Sequence, residues 1–91
     1  MKGRKDMKQV TMFMLKNCPH CQKALQIMAE LMENNPKYQA IEIKMIDEQA
    51  EPDLADKYDY YYVPTYYVNN QQVHEGVPTK EKLQQVLELA Q

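Results

Sequence analysis

The sequence predicts an α/β domain in which a four-stranded mixed sheet carries helices on both faces. Segments patterned as strands alternate with segments whose apolar residues recur at helical spacing, in the order β-α-β-α-β-β-α. A helix separates the first two strands, so these two are expected to run parallel. Asn69-Asn70 separates the last two strands and is a typical hairpin turn, so these two should run antiparallel.

The length and composition are those of one small folded domain. The chain has 91 residues, of which 44% are hydrophobic and 26% charged, a balance typical of globular proteins. We expect residues 1–8 to form a flexible N-terminus and residues 9–91 a single domain that acts as a monomer.

Charge and hydropathy argue against two classes of partner. The formal net charge is −2 and opposite charges are interspersed, which indicates neither a nucleic-acid-binding face nor a membrane-seeking helix. No apolar run of signal-peptide length follows the basic N-terminal residues, and none approaches the roughly 18 residues of a transmembrane helix. A cytoplasmic location is therefore expected.

The first strand and helix surround the most distinctive residues of the chain. Residues 9–15 are apolar on both faces, which is typical of a central strand covered on two sides. Pro19 then suits the first turn of a helix, and Asn34-Asn35-Pro36 ends it. The apolar residues that recur at helical spacing in it are Cys21, Ala24, Leu25, Met28 and Met32.

A second strand is predicted over residues 40–46, and a second helix opens at Pro52. In that strand the apolar residues Ile41, Ile43 and Met45 alternate with Glu42 and Lys44. The second helix carries Leu54, Ala55 and Tyr58. We expect all seven methionines of the chain to fill the core.

The C-terminal part predicts a hairpin followed by a third helix. The hairpin strands are residues 65–68 and 72–75, and Gly76 and Pro78 end the second of them. Thr79 is a good N-cap for the last helix. Its apolar stripe consists of Leu83, Val86, Leu87 and Ala90.

Cys18 and Cys21 are the candidate catalytic pair. A disulfide between them would close a very short loop and add little stability, so redox or metal chemistry is the better interpretation. At a helix start, the Cys18 sulfur meets unpaired N–H groups that favour its thiolate. Cys21 lies one turn inside and can resolve a mixed disulfide, while Pro19 is compatible with helix initiation.

Two basic residues flank these cysteines. His20 can donate a hydrogen bond to the Cys18 sulfur or place a positive charge near it, although a solvated histidine is the alternative. Lys16 is a second positive charge before the motif, again with simple solvation as the alternative. A structural zinc site would need His20 and His74 as further ligands; we expect no metal and place His74 on the surface of a strand.

Two motifs carry a resemblance to a known family. Cys18-Pro19-His20-Cys21 after a strand, with Val63-Pro64-Thr65 before a hairpin, resembles the thioredoxin superfamily, and the similarity extends from about Gln9 onward. The resemblance implies a thioredoxin-like fold of the glutaredoxin type. It also implies that Pro64 is cis and packs beside the sulfurs, while Val63 offers backbone groups to an extended substrate.

The sequence also departs from the usual family pattern. Asn17 stands where thioredoxins usually carry Trp, and Met12 where they carry a buried acid on the preceding strand. The short N-terminus is similar to that of glutaredoxins, but residues 76–79 replace their Gly-Gly segment and glutathione-binding acid. The Pro-His dipeptide is similar to that of bacterial periplasmic dithiol oxidases, which implies a relatively oxidising site.

Six tyrosines crowd around Pro64. Tyr58 and one of Tyr66 and Tyr67 are expected in the core, because alternate residues of a strand face opposite sides. A loop cannot bury three phenols, so one or two of the residues 60–62 should line a substrate groove. The expected substrate-binding residues are Lys16, Tyr62, Val63, Pro64 and Thr65.

The sequence thus predicts a thiol–disulfide oxidoreductase that exchanges disulfides with protein substrates. Its expected partners are a protein disulfide and an electron donor, either a reductase or glutathione, and its redox-active disulfide serves in place of a cofactor. The alternatives are a glutathione-coupled glutaredoxin, a non-catalytic redox-dependent binding protein, and a module that binds zinc or an iron–sulfur cluster.

Overall fold

The computed structural model describes residues 8–91 and shows a four-stranded mixed sheet with strand order β2-β1-β3-β4. The strands are β1 (Val10–Met14), β2 (Ile43–Asp47), β3 (Thr65–Val68) and β4 (Gln71–Glu75). β1 pairs with β2 in parallel and with β3 antiparallel, and β3 pairs antiparallel with β4. The predicted mixed sheet is confirmed.

The helices are α1 (Pro19–Asn34), α2 (Pro52–Ala55) and α3 (Lys80–Leu89), and a short 3₁₀ helix spans Pro36–Ala40. Thr79 caps α3 as predicted, since its hydroxyl accepts the N–H of Lys82 at 3.1 Å. No helix within residues 8–91 is long and apolar enough to cross a membrane.

The predicted flexible segment 1–8 lies outside the described residues, apart from Lys8. The Lys8 N–H donates to the carbonyl of Ala90 at 2.7 Å, and its ammonium lies 3.3 Å from the carbonyl of Leu89. Lys8 is therefore hydrogen-bonded to the end of α3.

The two faces of the sheet bury different kinds of side chain. One face packs aliphatic residues against α1 and α3, including Val10, Leu31 and Leu87. The other packs Phe13 and Tyr67 with α2 and the segment that follows it. The buried tyrosines differ from the prediction, because Tyr66 and Tyr67 are both buried: β3 is an inner strand, so each of its faces is covered.

Two further expectations from the sequence are wrong. Met45 does not fill the core but is 52% exposed, because β2 is an edge strand with a neighbour on one side only. His74 is buried rather than on the surface. It lies beside the Tyr66 ring, and its Nε2 is 3.0 Å from the carbonyl oxygen of Gly76.

The hairpin turn forms where the sequence predicts it. Asn69 and Asn70 both have positive φ angles, 51° and 71°, as a two-residue turn between right-twisted strands requires. The turn directs β4 back toward the end of the sheet from which α1 departs. This geometry brings residues 60–65 and 75–76 to the same end as the cysteines.

Candidate active site

Cys18 and Cys21 lie at the junction of β1 and α1. β1 ends at Met14, and Cys18 is the N-cap residue of α1, with Pro19 in the first turn. The Cys18 carbonyl accepts the N–H of Gln22 at 3.0 Å, which closes the first helical turn. Both cysteines are free thiols; Cys18 is half-buried and Cys21 is fully buried.

The surroundings of Cys18 favour its thiolate. Partial burial is the largest single influence and would raise the pKa of the Cys18 thiol, but hydrogen bonding from the backbone and thiol of Cys21 and from the backbone of His20 outweighs it. The net pKa of Cys18 is therefore lowered. The Cys18 side chain makes no capping hydrogen bond of its own, so the lowered pKa comes from the combined N–H groups of His20 and Cys21 and the Cys21 thiol near the sulfur.

Cys21 has the opposite character. Burial, the nearby Cys18 sulfur and the charge of Glu48 raise the pKa of Cys21 to about 11, although the backbone of Leu15 partly opposes them. At neutral pH, Cys21 is therefore a protonated thiol beside a partly exposed sulfur of lower pKa. The two cysteines have distinct chemical roles available to them.

The segment before β3 lies at the same end of the sheet as the two cysteines. Thr65 is opposite Phe13 in the antiparallel register, so Pro64 is level with the end of β1 that leads to Cys18. The Val63–Pro64 peptide bond is cis, and Pro64 is buried. Its carbonyl accepts the N–H of Gly76 at 3.0 Å, and the buried Thr65 hydroxyl donates to the carbonyl of Tyr62.

The three tyrosines of residues 60–62 differ in exposure. Tyr60 is half-buried and stacks on Phe13 with ring centroids 5.0 Å apart. Tyr61 and Tyr62 are 90% and 68% exposed. Two large amphipathic side chains therefore stand on the surface just before Pro64.

Sequence reasoning missed Glu48. This half-buried residue follows β2, and its Oε1 accepts the Tyr60 hydroxyl at 2.7 Å. Its negative charge raises the pKa of both Cys18 and Cys21. The predicted topology could have identified Glu48, because β1 and β2 are parallel and the residues that follow them lie at the same edge of the sheet.

Sequence reasoning also missed Glu75, at the end of β4. Its Oε2 accepts the N–H groups of Tyr61 and Tyr62 at 2.5 and 2.8 Å. Glu75 pairs with Thr65 across β3 and β4, which places its carboxylate beside the loop that precedes β3. No local pattern in the sequence marks this contact.

Lys16 and His20 are both exposed. The Lys16 carbonyl accepts a hydrogen bond from the Gln22 side chain at 3.2 Å. The His20 side chain makes no hydrogen bond to any other residue within 8–91, whereas its backbone contributes to lowering the pKa of Cys18. Both basic residues therefore lie at the site, and within residues 8–91 neither side chain forms a hydrogen bond or an ion pair with another group.

Residues 8–91 contain no group of three or more His, Cys, Asp or Glu side chains that could hold a metal ion. Two surface cavities, of about 390 and 350 Å³, lie beside Lys44 and beside Asn69, and neither is lined by a cysteine. Both are therefore separate from the site built around Cys18.

Comparison with known proteins agrees with this geometry. Residues 8–88 match a family model described as thioredoxin domain. The chain is 32% identical over 75 residues to the thioredoxin of Methanocaldococcus jannaschii, covering 82% of this chain and 86% of that one.

Solved structures show the same fold at low sequence identity. The thioredoxin of Fasciola hepatica has a TM-score of 0.66 at 16% identity and covers 97% of this chain and 86% of its own. The oxidised thioredoxin of Plasmodium falciparum has a TM-score of 0.69 at 17% identity, covering 100% of this chain and 94% of its own. The thioredoxin-domain match and the Methanocaldococcus relative together show that this chain belongs to the thioredoxin family and is an oxidoreductase of that family.

Proposed function

We propose that this protein exchanges disulfides with protein substrates, with Cys18 as the nucleophile and Cys21 as the resolving thiol. The observation that carries the proposal is the contrast between the two sulfurs. Cys18 is accessible and its pKa is lowered, whereas Cys21 is buried and its pKa is raised to about 11. A disulfide-exchanging enzyme needs one thiolate that attacks the substrate and a second thiol that reacts later, so only the accessible sulfur should attack first.

In the reducing direction, the Cys18 thiolate attacks one sulfur of the substrate disulfide. A bond forms between Cys18 Sγ and that sulfur, the substrate S–S bond breaks, and the other substrate sulfur leaves as a thiolate that takes up a proton. Cys21 does not compete at neutral pH, because its proton is held by burial.

The second step uses the coupling between the two cysteines. The Cys18 thiolate is one cause of the raised pKa of Cys21, so this part of the effect disappears once Cys18 is in a mixed disulfide. Cys21 then loses its proton more easily and attacks Cys18 Sγ. The bond to the substrate breaks, the second substrate thiolate leaves, and Cys18 and Cys21 form a disulfide after a transfer of two electrons.

Completion of the cycle requires an external electron donor. We propose a reductase or glutathione in the cytoplasm, with the chain acting as a monomer and with no cofactor besides its own dithiol. The opposite direction uses the same steps in reverse, and the donor and substrate potentials set which one predominates.

The surface near Pro64 supports a protein rather than a small-molecule substrate. Tyr61 and Tyr62 present two exposed rings, and Val63 precedes the buried Pro64 in the same segment. We assign Tyr62 and Val63 to substrate contact, with Lys16 and His20 at the rim. Pro64 and Thr65, which the sequence also assigned to substrate binding, are buried and instead support this loop from inside the protein. Aromatic side chains of this kind suit protein recognition because they offer large contact areas at a low entropic cost.

Reduction of insulin by dithiothreitol is the direct test. The protein should accelerate it, and Cys18→Ser should return the rate to that of dithiothreitol alone. A wild-type protein without acceleration would contradict the proposal. With glutathione as the only reductant, full turnover by Cys21→Ser would instead identify a glutathione-coupled cycle.

A further inference from the structure

Glu75 makes an unusual connection to the substrate-facing loop. A single carboxylate oxygen of this residue accepts the backbone N–H groups of both Tyr61 and Tyr62, at 2.5 and 2.8 Å. Hydrogen bonds from N–H groups to a carboxylate are stronger than those to a neutral acceptor. The carboxylate therefore attaches the loop backbone to the end of β4.

A second contact occupies another backbone group of the same loop. The Tyr62 carbonyl accepts the hydroxyl of Thr65, so both the N–H and the C=O of Tyr62 are used within the protein. By contrast, in residues 8–91 the backbone of Val63 makes no hydrogen bond to the protein. Of Tyr62 and Val63, only Val63 thus retains a free N–H and a free C=O.

This pattern restricts how an extended chain can pair with the loop. An added strand needs free N–H and C=O groups, and a shift of one residue turns every substrate side chain to the opposite face. Because the N–H groups of Tyr61 and Tyr62 are already bonded to Glu75, pairing at those positions would require breaking these bonds. Pairing at Val63 requires no such loss.

We propose that Glu75 is a positioning residue that sets the register in which an extended protein substrate pairs with the loop. By occupying the N–H groups of Tyr61 and Tyr62, it leaves Val63 as the pairing position and holds the two exposed rings on the outer side of the loop. Glu75 does not touch the reacting sulfurs, and its effect is confined to substrates that dock as a strand. This inference rests on the proposed exchange with protein disulfides.

The test measures variant activity on two disulfide substrates, a protein that can pair with the loop as a strand and a small molecule that cannot. For Glu75→Ala, kcat/KM with insulin should fall about tenfold, equivalent to about 1.4 kcal/mol, mainly through a higher KM, because the substrate loses the single preferred register. With a small aromatic disulfide, 5,5′-dithiobis(2-nitrobenzoic acid), the rate should change less than twofold. Glu75→Gln retains an acceptor oxygen without the charge and should fall between Glu75→Ala and the wild type.

Amide hydrogen exchange measured by NMR provides a readout of the contact itself. The Tyr61 and Tyr62 amides should be protected in the wild type and lose protection in Glu75→Ala. Glu42→Ala is the matched control, since it removes an exposed carboxylate from another part of the chain and should leave both the kinetics and these amides unchanged.

The outcomes separate the inference from the proposed function. If wild-type protein fails to reduce insulin, the proposed function itself fails. If wild-type protein is active but Glu75→Ala reduces insulin with an unchanged KM, the register role is wrong. Equal losses with both substrates would likewise overturn it, because they indicate general damage to the fold or to the cysteine site.

Discussion

The two edges of the active site are held by different kinds of interaction. The helix edge, residues 18–21, is positioned by the start of α1 and by the burial of Cys21 against the sheet. The loop edge, residues 60–65, is positioned by two carboxylates, Glu48 just after β2 and Glu75 at the end of β4. Glu48 accepts a phenol hydroxyl of the loop, and Glu75 accepts its backbone N–H groups. Local structure thus positions the two reactive cysteines, whereas contacts between residues distant in sequence position the loop proposed to bind the substrate.

The largest expected effect comes from changing the helix edge. Cys18→Ser should abolish disulfide exchange, because no other thiol is exposed to attack. Cys21→Ser should instead accumulate a mixed disulfide between Cys18 and the substrate, because its resolution needs the second thiol. Mass spectrometry of the reaction with insulin measures both results, and alkylation of Cys21 in preference to Cys18 in the wild type would contradict the assignment of roles.

A second effect on the helix edge is pH-dependent stability. Because the Cys21 pKa is raised to about 11 in the folded protein, the folded state holds a proton that the unfolded state releases at lower pH. Stability of the reduced protein should therefore fall from about pH 9 to about pH 11. The loss should be at most about 3 kcal/mol, because solvent screening reduces the effect of the full shift.

Urea unfolding across this pH range measures the effect, with Cys21→Ala as the control. Tyr38, Tyr60 and Tyr66 also have pKa values raised by burial, so their titration adds an alkaline loss to both proteins. The difference between wild type and Cys21→Ala reports the Cys21 thiol together with its smaller effect on the pKa of Tyr66. If the two lose stability equally over this range, the raised pKa of Cys21 is wrong.

The loop edge should respond more weakly to the loss of one phenol. Tyr60→Phe removes the hydroxyl that donates to Glu48 but keeps the ring that stacks on Phe13. We expect a loss of about 1 kcal/mol in unfolding free energy, as for a typical single hydrogen bond. Tyr61→Phe is the matched control, since Tyr61 is 90% exposed and should be unaffected; an equal loss in both variants would mean that the Glu48 contact contributes nothing.

The same contrast explains what the sequence can predict. The start of α1 at Pro19, the turn at Asn69-Asn70 and the cap at Thr79 each depend on the conformational preferences of a few adjacent residues. These local features are confirmed residue by residue. They include the position of Cys18 at the N-cap, so the helix edge was predictable.

The errors concern residues whose environment depends on distant parts of the chain. The exposure of Met45 follows from the edge position of β2, and the burial of His74 from its contact with Tyr66. Glu48 and Glu75 became part of the site only because the sheet brings their strand ends to the cysteines. Strand alternation specifies which residues share a face but not whether that face is covered.

Glu48 connects the two edges electrostatically. Its carboxylate raises the pKa of both cysteines, so Glu48→Gln should lower both. Below the Cys18 pKa, a larger fraction of thiolate should then increase the rate of alkylation by iodoacetamide severalfold. Glu51→Gln removes an exposed carboxylate nearby and should have no effect; unchanged alkylation in Glu48→Gln would remove this residue from the electrostatics of the site.

The smallest expected effect concerns the side chain of His20. A cation near the Cys18 sulfur stabilises the thiolate and hence the reduced protein, so its removal should make the protein more reducing. Because His20 is exposed and its side chain makes no hydrogen bond within residues 8–91, the change for His20→Tyr should be no more than about 20 mV. This shift in potential should shrink at high ionic strength, as expected for exposed charges, and Lys16→Gln should act in the same direction but less.

Equilibration with glutathione measures the reduction potential, and thiolate absorbance near 240 nm measures the Cys18 pKa. If both stay unchanged in His20→Tyr at low salt, His20 is a solvated residue, and the helix backbone and the Cys21 thiol alone account for the lowered pKa of Cys18.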